Sequence, residues 1–428
     1  MRIGSVALAL AVSAAQAGAV EGPAAHHAAI VVDGHIDVPS AMLDVGFDVG
    51  EKGDRAGCTD VIAAYSGSLP KRDDGNYCTH FDLDRARSGG LDAAFFSIYV
   101  AADYVGKTAA EGGGPARRAF DMIATVKAQV AAHPERAVLA TSAGDVRRAV
   151  EEGRFAVLMG IEGGYAIEDS LALLRAFHAE GVRYMTLTHT KHTDWADSSG
   201  GLYGPIAGAH GGLTDFGREV VREMNRLGMM VDISHVADDT VRDVLATTTR
   251  PVIASHSSAR ALTDHHRNIN DELLRAIGAN GGVVMVNYYG DFIDPAFNAT
   301  LPGRYQRMAE LGAKLGDDPR IDWMVEEETR ARLPRTPLSA LVDHIDHIAK
   351  VAGVDHVGLG SDFDGAPFMP AGLDGVQDLP KLSAALLARG YSDADLAKIL
   401  GGNVLRVLEA VPPVTYLAAA AAKKGRPA

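Results

Sequence analysis

The sequence predicts one (β/α)8 barrel, a fold in which eight parallel strands close into a ring inside a layer of helices. Short apolar runs alternate with longer amphipathic stretches along the chain, which is the pattern of successive strand–helix units. The runs are apolar at consecutive positions, as expected for strands that are covered on both faces. The length of 428 residues suits one large barrel with insertions, and we expect the barrel to occupy residues 18–415.

Eight apolar runs supply the predicted strands. They are 29–33, 93–99, 155–161, 184–188, 229–233, 252–254, 282–287 and 356–360. Seven amphipathic stretches supply the predicted helices between and after them. They are 116–132, 170–179, 216–227, 239–247, 271–277, 338–351 and 379–388. One more helix is expected after Ser392, because Ser392 and Asp395 have the spacing of a capping box.

Two long segments interrupt this alternation. Residues 46–82 are rich in Gly and Asp and are expected to form a loop over the barrel mouth. Residues 289–337 contain several prolines and a charged helical piece at 322–332, which predicts a cap or an outer excursion. Long loops within a compact domain are usually functional. Cys58 and Cys78, the two cysteines, lie in the first segment, and the sequence leaves open whether they form a disulfide.

The two chain ends are expected to lie outside the barrel. Residues 1–17 resemble a signal peptide, with Arg2 before an apolar stretch and a small-x-small cleavage pattern at Ala15 to Ala17. The alternative is an N-terminal helix of the fold. We expect an exported protein, periplasmic or secreted. Residues 416–428 are expected to be a flexible tail, and they lack the hydrophobic end that a lipid-anchor signal requires, so no membrane anchor is expected.

The charge of the chain excludes one class of partner. The formal net charge is −14, and an acidic chain gains nothing from binding a phosphate polymer. We therefore expect no nucleic-acid partner.

The strongest functional signal is a set of ionisable side chains that follow the predicted strands. They are His35 and Asp37 after strand 1, Glu162 after strand 3, and His189, His235, His256 and Asp362 after strands 4, 5, 6 and 8. The carboxyl ends of barrel strands meet at one face, which carries the active site in this fold. Burying so much charge without a counter-ion would be prohibitively costly, so the set predicts a metal site.

The types of ligand narrow the choice of metal ion. Imidazole together with carboxylate suits zinc, and also iron, cobalt or manganese. One catalytic zinc usually takes three protein ligands and a water, so this set is too large for a single ion. It fits two ions that share a bridging carboxylate.

The local sequences around these residues form six motifs. They are Asp33-Gly-His-Ile-Asp37, Gly160-Ile-Glu-Gly-Gly164, Arg183-Tyr-Met-Thr-Leu-Thr-His189, Asp232-Ile-Ser-His235, Ser255-His-Ser-Ser258 and Gly358-Leu-Gly-Ser-Asp-Phe-Asp-Gly365. Together they closely resemble the renal (membrane) dipeptidase family, peptidase family M19, of the metal-dependent amidohydrolase superfamily. The resemblance extends from about Val32 to Glu409. It implies a (β/α)8 barrel that hydrolyses small dipeptides by attack of a hydroxide bridging two Zn²⁺ ions per chain.

The resemblance also implies a role for each residue. His35 and Asp37 would hold the first zinc, Glu162 would bridge both ions, and His235 and His256 would hold the second. His189 would stabilise the oxyanion of the tetrahedral intermediate. Asp362 would move protons from the attacking water to the leaving amine, and Arg267 would bind the free C-terminal carboxylate of the substrate. A planar guanidinium matches a carboxylate, which supports the last role.

Some features differ from the family or carry no role. The mammalian members have a Cys two residues after the strand-4 His, where this chain has Lys191, and they are lipid-anchored. The resemblance suggests a homodimer. Trp195, Asp197 and Tyr288 are candidates for lining the pocket or for simple packing. Four other histidines are expected at the surface or in loops, namely His80, His192, His210 and His344.

Three functions remain in competition at this point. The first is a dipeptidase for L-L and also L-D dipeptides. The second is an amidohydrolase of N-acyl amino acids, lactones, phosphotriesters or related small amides and esters. The third is a non-catalytic binding protein, which the complete ligand set and Asp362 disfavour. A Cys or Ser hydrolase is disfavoured as well, because no Gly-x-Ser-x-Gly elbow occurs and neither Cys has a predicted His partner.

Overall fold

Nine parallel strands form the centre of the molecule. The computed structural model describes residues 22–52, 79–201, 204–316, 318, 321–366 and 369–411. The strands are β1 (Val32–Ile36), β2 (Ala93–Tyr99), β3 (Ala137–Leu139), β4 (Phe155–Glu162), β5 (Val182–Thr186), β6 (Met230–Asp232), β7 (Ile253–Ala254), β8 (Val283–Val286) and β9 (Val357–Leu359). Eight of them close into a barrel, because β1 pairs with both β2 and β9 while β2 also pairs with β4. The predicted (β/α)8 barrel is therefore confirmed.

Helices cover the outside of this barrel. Those that follow barrel strands or extend the layer are α1 (Ala24–Ala28), α2 (Val38–Asp44), α3 (Leu83–Ser88), α4 (Pro115–Ala132), α5 (Ala143–Glu151), α6 (Leu171–Ala179), α7 (Asp215–Leu227), α8 (Asp238–Thr247), α9 (Asp271–Ala279), α10 (Gly290–Ile293), α11 (Pro295–Asn298), α12 (Leu301–Leu315), α13 (Ile321–Arg330), α14 (Leu338–Ala352), α15 (Leu379–Arg389), α16 (Asp393–Ala397) and α17 (Asn403–Ala410). Side-chain caps begin several of them. The Ser392 hydroxyl, for example, accepts a hydrogen bond from the Asp395 amide at 3.1 Å, as the sequence predicted.

The barrel strands are buried along their whole length, which explains their continuous apolar runs. Two details differ from the prediction. The strand β3 was missed, because three residues are too few to give a pattern. The strand β1 was predicted at 29–33 and lies at Val32–Ile36, so His35 stands inside the strand instead of after it. A polar residue inside a buried strand is stable here because its side chain belongs to the polar site.

The segment 289–337 is an excursion built of short helices, α10 to α13. Helices α12 and α13 pack on each other around a small apolar cluster of their own, formed by Met308, Leu311, Ile321 and Val325. The charged helical piece that was predicted at 322–332 is α13. This segment therefore adds a second small core beside the barrel.

Other predicted features lie outside the described residues. These are the leader 1–17, the tail 416–428 and residues 53–78, which carry Cys58, Cys78 and most of the predicted loop over the mouth. Within the described part of the chain, no helix has both the length and the hydropathy needed to cross a bilayer.

Candidate metal centre

The carboxylate of Glu162 stands at the centre of a cluster of imidazoles. Glu162 is the last residue of β4, and its Oε1 lies 3.0 Å from Nε2 of His235, 3.4 Å from Nε2 of His256 and 3.5 Å from Nε2 of His189. Its other oxygen, Oε2, lies 3.4 Å from Nε2 of His35. One carboxylate thus has a separate set of nitrogen ligands on each side, which is the arrangement that a bridging ligand needs.

Three overlapping groups of ligand atoms are close enough to hold cations. They are His35 with Glu162 and His256, Glu162 with His189 and His235, and His35 with Asp37 and Asp362. The barrel fold brings these residues together from six strand ends that span positions 35 to 362. All seven side chains that the sequence singled out around the predicted metal site therefore meet in one place.

Unpaired atoms show that this donor set fits metal ions. The Nε2 atoms of His235 and His256 lie 2.8 Å apart, and a cation between two lone pairs explains such an approach. Oδ1 of Asp37 is buried without a hydrogen-bond partner among the described residues, and the buried Nε2 of His35 faces two carboxylate oxygens, Oδ2 of Asp37 at 3.2 Å and Oε2 of Glu162 at 3.4 Å. Buried polar atoms are normally satisfied, so these atoms indicate ligands rather than packing.

The charges in the cluster favour a cation as well. Burial lowers the pKa of His35, but Tyr184, Asp37 and Glu162 together raise it well above its ordinary value. Burial alone would raise the pKa of Glu162, yet the nearby imidazoles, His35 first, hold it well below its usual range. The Glu162 carboxylate therefore stays ionised and attracts positive charge into the site.

Other parts of the barrel orient His35. Its Nδ1 lies 2.8 Å from the Tyr184 hydroxyl, which also donates to the carbonyl of Gly34 at 3.3 Å. The Tyr184 ring passes directly over Gly160, where any Cβ would meet the ring at 2.1 Å. The glycine in the Gly160 to Gly164 motif thus makes room for the ring that fixes the imidazole, which leaves Nε2 facing the site.

Two of the site residues lie in left-handed backbone conformations. His235 has a φ of 65° and Asp362 a φ of 61°. Side chains with a Cβ seldom adopt this conformation, and such strain is typical of functional positions. The tight turn after β9 also needs Gly365, because a Cβ there would lie 2.2 Å from both Oδ1 of Asp362 and Oδ2 of Asp37. The turn therefore packs these two carboxylates closely together.

Asp362 is held by a neighbouring strand end and by burial. Asn287, one residue after β8, donates from Nδ2 to Oδ2 of Asp362 at 2.8 Å. Burial raises the pKa of the Asp362 carboxyl, and Asp37 and Glu162 act in the same direction. A carboxyl group whose pKa is raised can hold and release a proton nearer to neutral pH.

His189 lies beside Glu162, on a turn that one phenol holds. The Tyr165 hydroxyl accepts from the amides of His189 at 3.2 Å and Lys191 at 3.1 Å. Burial lowers the pKa of His189 to about 4, so the imidazole is neutral at pH 7. It stacks against His235 and touches the ring edge of Tyr99.

Arg267 is buried next to this cluster without an acidic partner. Its side chain is 6% exposed, and one guanidinium nitrogen lies 3.4 Å from the carbonyl of His256. The guanidinium also lies 5.4 Å from the centre of the Phe292 ring. Burial lowers its pKa to about 10, and within the described ranges no carboxylate lies at ion-pair distance. A buried cation without an anion is a receptor for one.

The family model for membrane dipeptidases, peptidase family M19, matches residues 23–421 of this sequence. The chain belongs to the membrane dipeptidase family. It is 36% identical over 348 residues to dipeptidase tcpJ of Claviceps purpurea, a match that covers 81% of this chain and 71% of the relative.

Solved structures of the family share the fold. The probable dipeptidase PvdM from Pseudomonas aeruginosa superposes with a TM-score of 0.74 at 28% identity, covering 90% of this chain and 96% of that chain. A metallopeptidase from Rhodobacter sphaeroides, liganded with a phosphinate mimic of the dipeptide L-Ala-D-Ala, gives 0.67 at 27% identity, covering 90% and 99%. The chain is therefore a peptidase of the metallodipeptidase family, and the resemblance seen in the sequence is confirmed.

The predicted surface positions of two histidines need correction. His80 and His344 are buried instead of lying at the surface. His344 accepts from the Ala259 amide at 3.0 Å, and His80 packs on Phe363 next to the turn of Asp362. The amphipathic pattern gave no sign of either contact, because both depend on partners far away in the sequence.

The remaining pocket candidates have structural roles. Trp195 is buried against Phe216, and the Asp197 carboxylate accepts from the backbone amides of Ala209, His210 and Gly212. Tyr288 is fully buried. The functional partners that sequence reasoning missed are Tyr184, Tyr165 and Asn287, which were invisible because their types are common and only the fold brings them to the site.

Proposed function

We propose that this chain is a zinc-dependent dipeptidase that hydrolyses L-L dipeptides, and L-D dipeptides as a second class, with a free C-terminal carboxylate. The observation that carries the proposal is the pairing of two features. Four imidazole nitrogens surround the Glu162 carboxylate, and Arg267 is buried beside them without an acidic partner. The first feature suits metal-assisted hydrolysis and the second suits a substrate that carries a carboxylate.

Five of the clustered residues would hold two zinc ions. His35 and Asp37 would bind one ion, His235 and His256 the other, and Glu162 both. When bound, the pair would lower the pKa of water and polarise the scissile carbonyl. The protein contributes ligands that are oriented in advance, as the contact of Tyr184 with His35 illustrates.

Asp362 would act as the proton carrier. Its side chain is half-buried, and its pKa is raised, so it can accept a proton from the attacking water and then release that proton to the leaving amine. The amide of Asn287 fixes one oxygen, Oδ2, and leaves the other free to point toward the reacting atoms. The left-handed backbone at Asp362 aims the carboxyl inward.

His189 would donate to the oxygen of the scissile carbonyl as it gains negative charge. A neutral imidazole carries one N–H, and the low pKa of His189 keeps it neutral at working pH. If that proton is on Nε2, which faces Glu162, the nitrogen can donate to substrate and cannot ligate metal. This arrangement explains why His189 lies near the metal ligands without being needed as one.

Arg267 would bind the C-terminal carboxylate and set the position of the scissile bond. A free carboxylate is also present in N-acyl amino acids, the alternative substrate class, but is absent from lactones and phosphotriesters. The Rhodobacter relative was crystallised with a mimic of L-Ala-D-Ala, which makes this dipeptide a suitable first L-D substrate to test.

The experiment combines metal analysis with a substrate panel. Purified protein should contain about two zinc ions per chain and should lose activity on chelation and regain it with zinc. L-L dipeptides, L-Ala-D-Ala, matched N-acetyl amino acids and a lactone are then compared, with Asp362→Asn as the inactive control. A chain that binds less than about one zinc, or that hydrolyses the lactone better than every dipeptide, would overturn the proposal.

We also propose that the chain is exported and loses its first 17 residues. The supporting observation is the apolar, small-residue leader that ends at Ala17. Mass spectrometry of the cell-extracted protein should find Gly18 at the N-terminus. An intact Met1 or Arg2 would instead favour an N-terminal helix of the fold.

A further inference from the structure

A buried carboxylate, Asp232, lies behind the cluster at the end of β6. It is fully buried and accepts four hydrogen bonds. Oδ1 accepts from the amides of Ser234 at 3.1 Å and Ser255 at 2.8 Å, and Oδ2 accepts from the hydroxyls of Ser255 at 2.6 Å and Thr186. Across the described segments, no Lys, Arg or His nitrogen lies at ion-pair distance from it. All four partners can donate to it, which matches the acceptor-only chemistry of a carboxylate.

Counting protons fixes the direction of the next hydrogen bond. The Ser255 hydroxyl has a single hydrogen, and the short contact with Asp232 uses it. The same oxygen lies 2.8 Å from Nδ1 of His256, so it must accept there. His256 therefore carries its proton on Nδ1. Its Nε2 therefore presents a lone pair to the cluster, 2.8 Å from Nε2 of His235 and 3.4 Å from Oε1 of Glu162.

The backbone on both sides supports the same geometry. The amide of His256 donates to the Ser234 hydroxyl at 3.0 Å, which ties the loop after β7 to the loop after β6. The motifs Asp232 to His235 and Ser255 to Ser258 are thus interlocked by hydrogen bonds between their polar side chains. A rotation of the His256 ring would break its contact with the Ser255 hydroxyl.

The Nδ1 atoms of the other two imidazoles, those of His35 and His235, have different surroundings. Nδ1 of His35 meets a neutral phenol, that of Tyr184, and Nδ1 of His235 is buried without a hydrogen-bond partner in the described part of the chain. Among these three imidazoles of the described chain, His256 is the one whose Nδ1 is linked to a carboxylate, through the Ser255 hydroxyl. A carboxylate behind a metal-bound imidazole raises the basicity of the ligand and fixes its tautomer.

We propose that Asp232 and Ser255 are positioning residues, which act through His256 to strengthen the binding of the cation held by His235 and His256. The proposal rests on the two-metal site proposed above and deepens it, because it predicts that these two residues affect the affinity for one ion and not for the other. The loss of such an outer partner typically weakens metal binding by about 10- to 100-fold. The ion held by His35 and Asp37 should be unaffected.

The test is a zinc titration of three variants of the full chain. Ser255→Ala removes the hydroxyl, and Asp232→Asn keeps the volume but replaces the anion by an amide. Ser383→Ala is the matched control, because the buried Ser383 hydroxyl lies 2.7 Å from Nδ1 of His26, far from the site, so an equivalent Ser–His hydrogen bond is lost. Each metal-free protein is titrated with zinc against a chromogenic chelator, and its melting temperature is measured without metal.

The expected result is a change in one affinity only. The wild type and Ser383→Ala should bind both ions alike, whereas Ser255→Ala and Asp232→Asn should bind one ion about 10- to 100-fold more weakly. The melting temperature of metal-free Ser255→Ala should fall at least as far as that of Ser383→Ala, because the Ser255 hydroxyl makes buried hydrogen bonds to both Asp232 and His256, whereas that of Ser383 makes one with His26. A general structural defect would lower both zinc affinities together.

Each other outcome has a distinct meaning. Wild-type affinities in both site variants would refute the relay and leave the dipeptidase proposal intact, whereas a wild type without metal would refute the metal pair itself. If neither site variant folds, the wild type labelled with ¹⁵N-histidine decides, with the His256 signal identified by its absence in His256→Gln. A neutral His256 with its proton on Nε2 would overturn the relay.

Discussion

Replacing Arg267 by alanine should weaken the recognition of the substrate carboxylate far more than the chemical step. Arg267 is buried, and no carboxylate of the described chain lies at ion-pair distance from it, so we expect a bound substrate to supply an ion-pair partner. Removing one member of a buried, hydrogen-bonded charge pair costs about 2–5 kcal/mol. A loss of about 3 kcal/mol corresponds to a fall of about 150-fold in kcat/KM, since each 1.36 kcal/mol is a factor of ten. Most of this fall should come from KM.

The assay compares each dipeptide with its C-terminal amide, which has no charge for Arg267 to bind. The wild type should prefer the free dipeptide by a factor similar to that caused by the mutation, and Arg267→Ala should treat the two substrates alike. This design is a double-mutant cycle between a side chain and a substrate group. Arg260→Ala is the control, because Arg260 lies nearby in sequence but is paired with Asp238 at 2.7 Å.

One result would refute this reasoning. If Arg267→Ala lost the same factor on the dipeptide and on its amide, the coupling between the guanidinium and the carboxylate would be zero. The effect of the mutation would then come from disturbed packing against Phe292.

Three further predictions test other parts of the site and the fold. Asp362→Asn keeps the size of the side chain, and asparagine tolerates the left-handed backbone at this position. The variant should lower kcat by about 10²- to 10⁴-fold in steady-state assays while both metal ions are retained. A loss of less than about tenfold would contradict the proton-carrier role. Gly365→Ala should lower both zinc content and activity, because the new Cβ would lie 2.2 Å from carboxylate oxygens of Asp37 and Asp362, whereas Gly312→Ala in α12, where the Cβ meets nothing within 4 Å, should change neither. Burial lowers the pKa of His344 to about 4, so between pH 6.5 and pH 4 the unfolded chain binds a proton at this residue more readily than the folded chain does. The stability that neutral His344 contributes is therefore lost as the pH falls from 6.5 towards 4. Denaturant titrations should show this loss, at most about 3 kcal/mol for this residue, to be smaller in His344→Gln, and equal pH slopes for the two proteins would argue against it.

The sequence predicted most of the barrel because its strands are buried on both faces and therefore have continuous apolar runs. The missed strand β3 has three residues, too few to differ from a loop. The start of the barrel was placed too early, at 29–33, because a polar residue such as His35 normally ends an apolar run. Sequence patterns describe average burial, and a functional residue inside the barrel departs from that average.

For the site, the residue types and their order after the strands were enough to predict where the cluster would be. The individual roles came from resemblance to a family. The groups that orient the ligands could not be predicted, since the contact of His35 with Tyr184 joins positions 149 residues apart. The left-handed backbone at His235 was equally hidden, because no residue near it marks the turn in the way a glycine would.

The closure of the barrel between its first and last strands has a consequence for biosynthesis. The Asp37 amide donates to the Phe363 carbonyl at 2.8 Å, so the turn that carries Asp362 completes a ring begun more than three hundred residues earlier. Contacts of such long sequence separation form late and slowly in folding. A ribosome-bound chain cannot assemble the whole centre until nearly all of it has been made, and products truncated before β9 should therefore lack activity.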